Sequence, residues 1–140
     1  MSVFVDPTIM RVELQNWDIQ YLASNSVQTF HMPIPGNVDK ATLFSLQTSA
    51  TGLFKFKMYS ELYGQRKLLA TMFTSNTNPT MQMELGNTLD PNTTLVIEAQ
   101  NLDNWPCDAY VTLRYAMEDA YEAFSKRFHK ELEARLDTVK

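Results

Sequence analysis

Cysteine, glycine and proline are scarce in this sequence. Its 140 residues include one cysteine, four glycines and six prolines. The single cysteine, Cys107, cannot form an internal disulfide, so the fold does not depend on an oxidising compartment. Four glycines leave little material for a loop that cradles a nucleotide phosphate. The sequence also lacks any apolar run approaching the roughly 20 residues that a membrane-spanning helix needs, which excludes such a helix.

Positive charge is also in short supply. Lysine and arginine number 12 against 16 aspartates and glutamates, which gives a net charge of −4. Nucleic-acid phosphates require clustered basic residues, so we expect no nucleic-acid partner. The first seven residues have neither a basic flank nor a long apolar core. We therefore expect no signal peptide and synthesis in the cytoplasm.

The composition supports a globular chain with two regions of different character. Hydrophobic residues make up 44% and charged residues 20%, enough to bury a core without metal or disulfide support. Residues 1–115 are rich in threonine, serine and asparagine, which suits sheets, whereas residues 116–140 are densely charged, which suits a helix. We predict a β-sandwich domain over 1–115 and a helix over 116–140.

Alternation of apolar and polar residues recurs through the first region. The clearest case places Phe54, Phe56 and Met58 against Lys55 and Lys57, which predicts a strand with one buried face. Similar alternation covers residues 10–15, 17–21, 44–47, 81–85, 95–99 and 109–115. The apolar phase changes between the first two of these runs, which predicts a bulge near Asn16.

Turn-forming residues separate the predicted strands. Glycine, proline and asparagine mark turns at 33–37, 51–52, 63–64, 75–79, 86–87, 90–92 and 101–106. Seven or eight short strands without intervening helices predict a mainly β protein, an antiparallel β-sandwich of jelly-roll or immunoglobulin-like type.

The C-terminal region carries an apolar stripe at helical spacing. The stripe predicts one long amphipathic helix, about 35 Å long, and its candidate interaction residues are Met117, Tyr121, Phe124, Phe128, Leu132 and Leu136. The stripe can pack on its own domain or on a neighbouring subunit. We favour the neighbour, because a sandwich already closes its core between two sheets.

Catalytic chemistry has little support in this sequence. Known catalytic and phosphate-binding motifs are missing. A nucleophilic pair of Cys107 and His31 is the weakest alternative, and His129 is expected to face solvent. We therefore predict a chain that is not an enzyme and uses no cofactor.

Two loops contain clustered oxygen ligands. One has Asp103, Asn104 and Asp108, and the other has Asp90 and Asn92. A calcium site needs six to eight converging oxygens, so we interpret both loops as side-chain-stabilised turns and predict no metal.

Trp105 is the candidate for ligand stacking. It lies in the polar loop 101–106, where an exposed ring flanked by amides and carboxylates would suit a sugar. The alternative is that the indole packs into the core beside Pro106.

The whole pattern resembles small structural proteins of bacteriophage particles, of the capsid decoration (cement) or tail and head-completion types. The strand runs Phe54–Met58, Met81–Leu85 and Leu95–Gln100, followed by the helix, carry this resemblance. It implies homo-oligomers or many copies bound to other capsid or tail subunits, without catalysis. We predict a non-enzymatic assembly protein of a virion, and the alternative is a carbohydrate-binding, adhesin-like module.

Overall fold

The computed structural model describes residues 10–119 and 128–132. Nine strands follow one another: β1 (Met10–Leu22), β2 (Val27–Pro33), β3 (Val38–Ala50), β4 (Phe54–Leu62), β5 (Gln65–Thr74), β6 (Thr80–Glu84), β7 (Thr88–Leu89), β8 (Thr94–Asn101) and β9 (Cys107–Asp119). One short helix, α1, covers residues 128–132. No helix in these described ranges is long and apolar enough to cross a membrane.

The strands form two antiparallel sheets. Sheet A has the order β1-β9-β3-β6, with β7 also paired to β3, and sheet B has the order β2-β8-β4-β5. The predictions of a mainly β protein and an antiparallel sandwich are therefore confirmed. Every pairing is antiparallel, as the one-sided alternation of the sequence favours.

The chain crosses between the sheets at every connection except β4–β5 and β6–β7, and this selects the jelly roll from the two predicted sandwich types. The chain passes from β1 in sheet A to β2 in sheet B, back to β3, and then to β4. Strands β6 and β7 pair with adjacent parts of β3 and act as one strand interrupted at residues 85–87. Counted in this way, eight strands form the double-sheet arrangement of a jelly roll.

The core lies between the sheets and follows the predicted alternation. Phe54, Phe56 and Met58 are fully buried, and the lysines between them are partly exposed. The inward positions of β8 and β9 complete the core with Leu95, Ile97, Ala99, Ala109, Val111, Leu113 and Tyr115. The sequence pattern therefore assigns the buried face of the three central strands correctly.

The prediction of a bulge near Asn16 is wrong. Strand β1 pairs with β9 in continuous register from Met10 to Ile19, and the register shifts only between Ile19 and Leu22. Without a bulge at Asn16, the change of apolar phase means that Val12 and Leu14 point away from the core. Their side chains are 53% and 62% exposed.

The prediction of a helix beginning at residue 116 is also wrong. Strand β9 continues to Asp119 and pairs with both β1 and β3 along its final residues. Met117 lies in this strand and packs against the core instead of belonging to a helical stripe. The helix that the structure describes is the short α1 and not a long one. Tyr121, Phe124 and Leu136 lie outside the described residues.

A buried tyrosine closes the core at the start of β1. The Tyr115 hydroxyl donates a 2.8 Å hydrogen bond to Glu13 Oε2 on the neighbouring strand. Burial raises the pKa of Tyr115 to about 12, and the hydrogen bond to Glu13 adds to the increase. The folded protein therefore holds this phenol in its neutral form more strongly than the unfolded chain does.

This pKa predicts a loss of stability at high pH. The contribution of Tyr115 is complete below pH of about 10, the unfolded pKa, and is lost as the pH rises towards 12. It should amount to about 2–3 kcal/mol in the free energy of unfolding. Denaturant titrations at pH 9 and pH 12 would measure it. Tyr115→Phe should lose less stability over this interval than the wild type, and equal losses would contradict the assignment.

Candidate functional site

One end of the sandwich gathers three loops into a compact cluster. We call residues 23–26, 51–53 and 102–106 the Trp105 loop cluster, after its most prominent side chain. Trp105 is 52% exposed, so the interpretation of its indole as a core plug is wrong. The cluster therefore presents an aromatic ring to solvent at the tip of the β8–β9 connection.

The side chain of Asn101 joins the loops of this cluster. Its side chain is fully buried, and its amide donates to the Leu22 carbonyl at 2.8 Å and to the Trp105 carbonyl at 2.9 Å. Its side-chain oxygen accepts the Asp103 backbone N–H at 2.9 Å. Because Asn101 itself is shielded from solvent, and an unpaired polar group is costly there, its three bonds fix the loop in one conformation.

Asp103 joins the β8–β9 loop to the β3–β4 turn. Its Oδ2 accepts the Leu53 backbone N–H at 2.6 Å. A Cβ on Gly52 would lie 2.1 Å from this oxygen and 2.8 Å from the sulfur of Cys107. The turn can therefore approach the loop this closely only with glycine at position 52.

Tyr21 is a second exposed aromatic beside the cluster, and the sequence analysis did not identify it. It lies where the β1–β9 register shifts, has φ of 50° and is 81% exposed. Its backbone N–H donates to Asp108 Oδ1 at 2.8 Å, which holds it in this left-handed conformation. Asn101 binds both Leu22 and Trp105, so the main chain after Tyr21 lies close to Trp105.

The polar residues expected to serve Trp105 are used for structure. Asn101 and Asp103 satisfy backbone groups, and Asp108 holds Tyr21. Asp103 and Asp108 thus bind the backbone of distant segments, and not of their own turns as the sequence suggests. Across residues 10–119 and 128–132, no group of three or more His, Cys, Asp or Glu side chains could hold a metal ion.

Cys107 and His31 do not come together. Cys107 is buried at the start of β9, where its thiol donates to the Trp105 carbonyl at 3.4 Å. His31 lies in β2 of sheet B, where it is exposed and pairs with Val96 of the neighbouring strand β8. His129 is exposed on α1, with its ring centroid 6.1 Å from that of Phe128. This arrangement gives the thiol no base from His31.

Among the large apolar side chains that the described residues expose, two groups each occupy one face of a strand or helix. The first is the β1 apolar face, formed by Val12 and Leu14 on the edge strand of sheet A. The second is on α1, where Phe128 and Leu132 are 55% and 45% exposed and, four residues apart, share one helix face. Sequence reasoning missed the first surface because it interpreted the phase change before Trp17 as a bulge.

An ion-paired arginine crosses the outer face of sheet B. Arg66 binds Glu61 through two nitrogens at 3.0 and 3.2 Å and Glu98 at 3.2 Å, and its guanidinium lies 5.0 Å from the Tyr59 ring centroid. The hydrogen bonds to Glu61 raise the pKa of Arg66. These contacts occupy the guanidinium and leave it little capacity to bind an external anion.

No protein-family model and no curated protein matches the sequence. Solved structures resemble its fold. One is the acidic stable capsid structure of Helicobacter pylori bacteriophage KHP30, with 13% sequence identity and a TM-score of 0.50. The match covers 75% of this chain and 86% of that chain. At such low identity, the likeness shows a shared fold and leaves function to the site.

Two other structures are similar at lower scores. The subviral particle of infectious bursal disease virus VP2 has 11% identity and a TM-score of 0.44, over 85% of this chain and 41% of that one. TmCBM61 in complex with beta-1,4-galactotriose has 9% identity and a TM-score of 0.42, over 79% and 88%. These scores are too low to support an argument about this chain.

The tight contact at Gly52 yields a matched pair of variants. Gly52→Ala should lower the free energy of unfolding by about 1–3 kcal/mol, because the new methyl group displaces Asp103 or the β3–β4 turn. Gly86→Ala is the control, since a Cβ there would meet nothing within 4 Å, and it should stay within about 0.5 kcal/mol of the wild type. Chemical denaturation would measure both, and equal stability of the two variants would contradict the described loop packing.

Proposed function

We propose that this protein is a non-enzymatic structural component of a virus particle, of the decoration, tail or head-completion type, and that it acts by binding other protein subunits. The observation that carries the proposal is the jelly-roll strand order, shared at the level of fold with the KHP30 capsid structure. A jelly roll also occurs in proteins of other functions, so its surfaces must supply the rest of the argument.

The exposed apolar groups support assembly. Val12 and Leu14 sit side by side in register with Ala116 and Arg114, on the outer face of an edge strand. Burying each such side chain contributes about 1.5–3 kcal/mol when it is fully removed from water. An edge strand also offers unpaired backbone groups to a neighbouring chain. Contact with other subunits would bury these side chains and pair these backbone groups at the same time.

The apolar face of α1 extends this argument. Phe128 and Leu132 are the two members of the predicted stripe that α1 contains, and both are half-exposed. The proposal assigns this face to a neighbouring subunit, as the sequence pattern favours.

A carbohydrate-binding role is the second candidate, and the exposed indole of Trp105 favours it. The loop that carries this ring is held in one conformation by Asn101, as a stacking platform requires. Asn104 is exposed beside it and offers an amide to a sugar hydroxyl.

The assembly proposal predicts an oligomer that depends on the β1 apolar face. Light scattering after size exclusion should give a mass that is a multiple of 16.1 kDa. The double variant Val12→Lys/Leu14→Lys should reduce this mass, because it places two charges in the contact, and should leave the melting temperature within a few degrees of the wild type. A Phe128→Ser/Leu132→Ser variant tests α1 in the same way.

Val27→Lys is the control for this experiment, since Val27 is 51% exposed on the edge strand of the other sheet. It should keep the wild-type mass. Co-sedimentation of the tagged chain with particles encoded by the same genome tests the virion assignment. A wild-type monomer that fails to sediment with particles would overturn the proposal.

The second candidate predicts that oligosaccharides alter the fluorescence of Trp105. The indole emission should shift on titration, and Trp105→Ala should abolish the shift while the protein stays folded, since the ring lies outside the core. Trp17, whose ring packs 5.9 Å from Phe30, supplies an internal reference. A flat response across a glycan array would remove this candidate.

A further inference from the structure

A cleft opens between the two sheets at the end opposite the Trp105 loop cluster. Its volume is about 430 Å³, within the range of roughly 300–1,000 Å³ for small-molecule sites. The residues that line it are Ser60, Leu62, Tyr63, Gln65, Arg66, Lys67, Thr88, Leu89, Asp90 and Thr93. They come from the β4–β5 hairpin on one side and from β7 and its following loop on the other.

The cleft exists because the inward-facing residues change from apolar to polar along β4 and β5. Ser60 lies opposite Leu95 of β8, and Lys67 lies opposite Ser60. Both therefore occupy the inward row that Met58 occupies deeper in the sandwich. A hydroxyl and an ammonium group cannot fill this space as apolar side chains would, so the sheets do not close over it.

The charges in the cleft favour a neutral ligand over an anionic one. Lys67 and Asp90 bring one charge of each sign, and Arg66 is held by Glu61 and Glu98 on the outer face. Gln65 and Ser60 add groups that both donate and accept hydrogen bonds. A ligand that matches this mixture is uncharged and rich in hydroxyl groups, because each hydroxyl also donates and accepts.

Tyr63, at the rim of the cleft, has an unfavourable backbone conformation. Tyr63 is 90% exposed, with φ of 52°, and Gly64 follows with φ of 77°. A two-residue hairpin loop with positive φ at both positions favours Asn-Gly, and a bulky residue with positive φ is unusual. Turn geometry therefore does not account for a tyrosine here, whereas a ring that stacks on a ligand does.

We propose that this cleft is a binding site for a short neutral saccharide. Tyr63 stacks on a sugar ring, Lys67 and Gln65 donate to hydroxyl oxygens, and Asp90 and Ser60 accept from hydroxyl groups. Leu62 and Leu89 form an apolar floor for the ring hydrogens. This inference goes beyond the particle proposal and does not depend on Trp105, which lies at the other end of the sandwich.

The substitution Tyr63→Asn removes the aromatic ring and keeps the turn. Asparagine is favoured at this turn position, so the variant should melt a few degrees above the wild type. Loss of the ring should weaken saccharide binding at least tenfold. Lys67→Met and Asp90→Asn should also weaken it, and Val27→Lys, on β2 at the other end of the sandwich, is the control that should bind like the wild type.

These affinities are measured by NMR titration of the full chain. The ligands are neutral cello-, malto-, galacto- and N-acetylglucosamine oligomers at millimolar concentration. Saturable shifts of residues 60–67 and 88–93 are expected with at least one series, and inorganic phosphate should cause none. Shifts confined to other residues, no shifts with any series, phosphate binding in the cleft, or wild-type affinity in Tyr63→Asn would each overturn the proposal. The measurement uses no particle, so its failure leaves the assembly proposal to the mass measurement.

Discussion

The pairing of β9 with both β1 and β3 is the constraint on which the structure depends. β9 is a central strand of sheet A, with β1 on one side and β3 on the other over most of its length. Its inward residues Val111 and Leu113 are fully buried. Because β1 and β9 are the first and last of the described strands in sequence, sheet A is complete only when distant parts of the chain meet. Such non-local pairing is typical of slow-folding β proteins.

The crossing of successive strands between sheets also creates two ends with different properties. At one end, buried Asn101 and the close contact at Gly52 lock three loops together. At the other end, the inward positions become polar at Ser60 and Lys67, and the sheets leave a cleft. The same connectivity therefore produces a rigid loop cluster and an open site. The side chains at a few inward positions decide which one forms.

Assembly and saccharide binding place different demands on this fold. Assembly needs exposed apolar groups on a broad face, which Val12 and Leu14 provide on an edge strand. Saccharide binding needs a ring beside mixed donors and acceptors, which Tyr63 provides together with Lys67 and Asp90. These surfaces lie on different parts of the molecule, so one jelly roll has room for both. The fold itself does not choose between them.

The sequence by itself determined most of the strands and turns and the buried face of the central strands, because alternation and turn chemistry are local properties. Strands β2 and β5 did not stand out as alternating runs. Phe56, Ile97 and Leu113 are buried as their patterns predict. Only the tertiary structure decided that the apolar residues before Trp17 face outward and that Met117 continues a strand. It also decided that Ser60 and Lys67 border a cleft. In β9, hydrogen bonds to the neighbouring strands extend the strand against the helical pattern of its own residues. Each of these outcomes depends on which distant strand lies alongside, and no local period in the sequence encodes that partner strand.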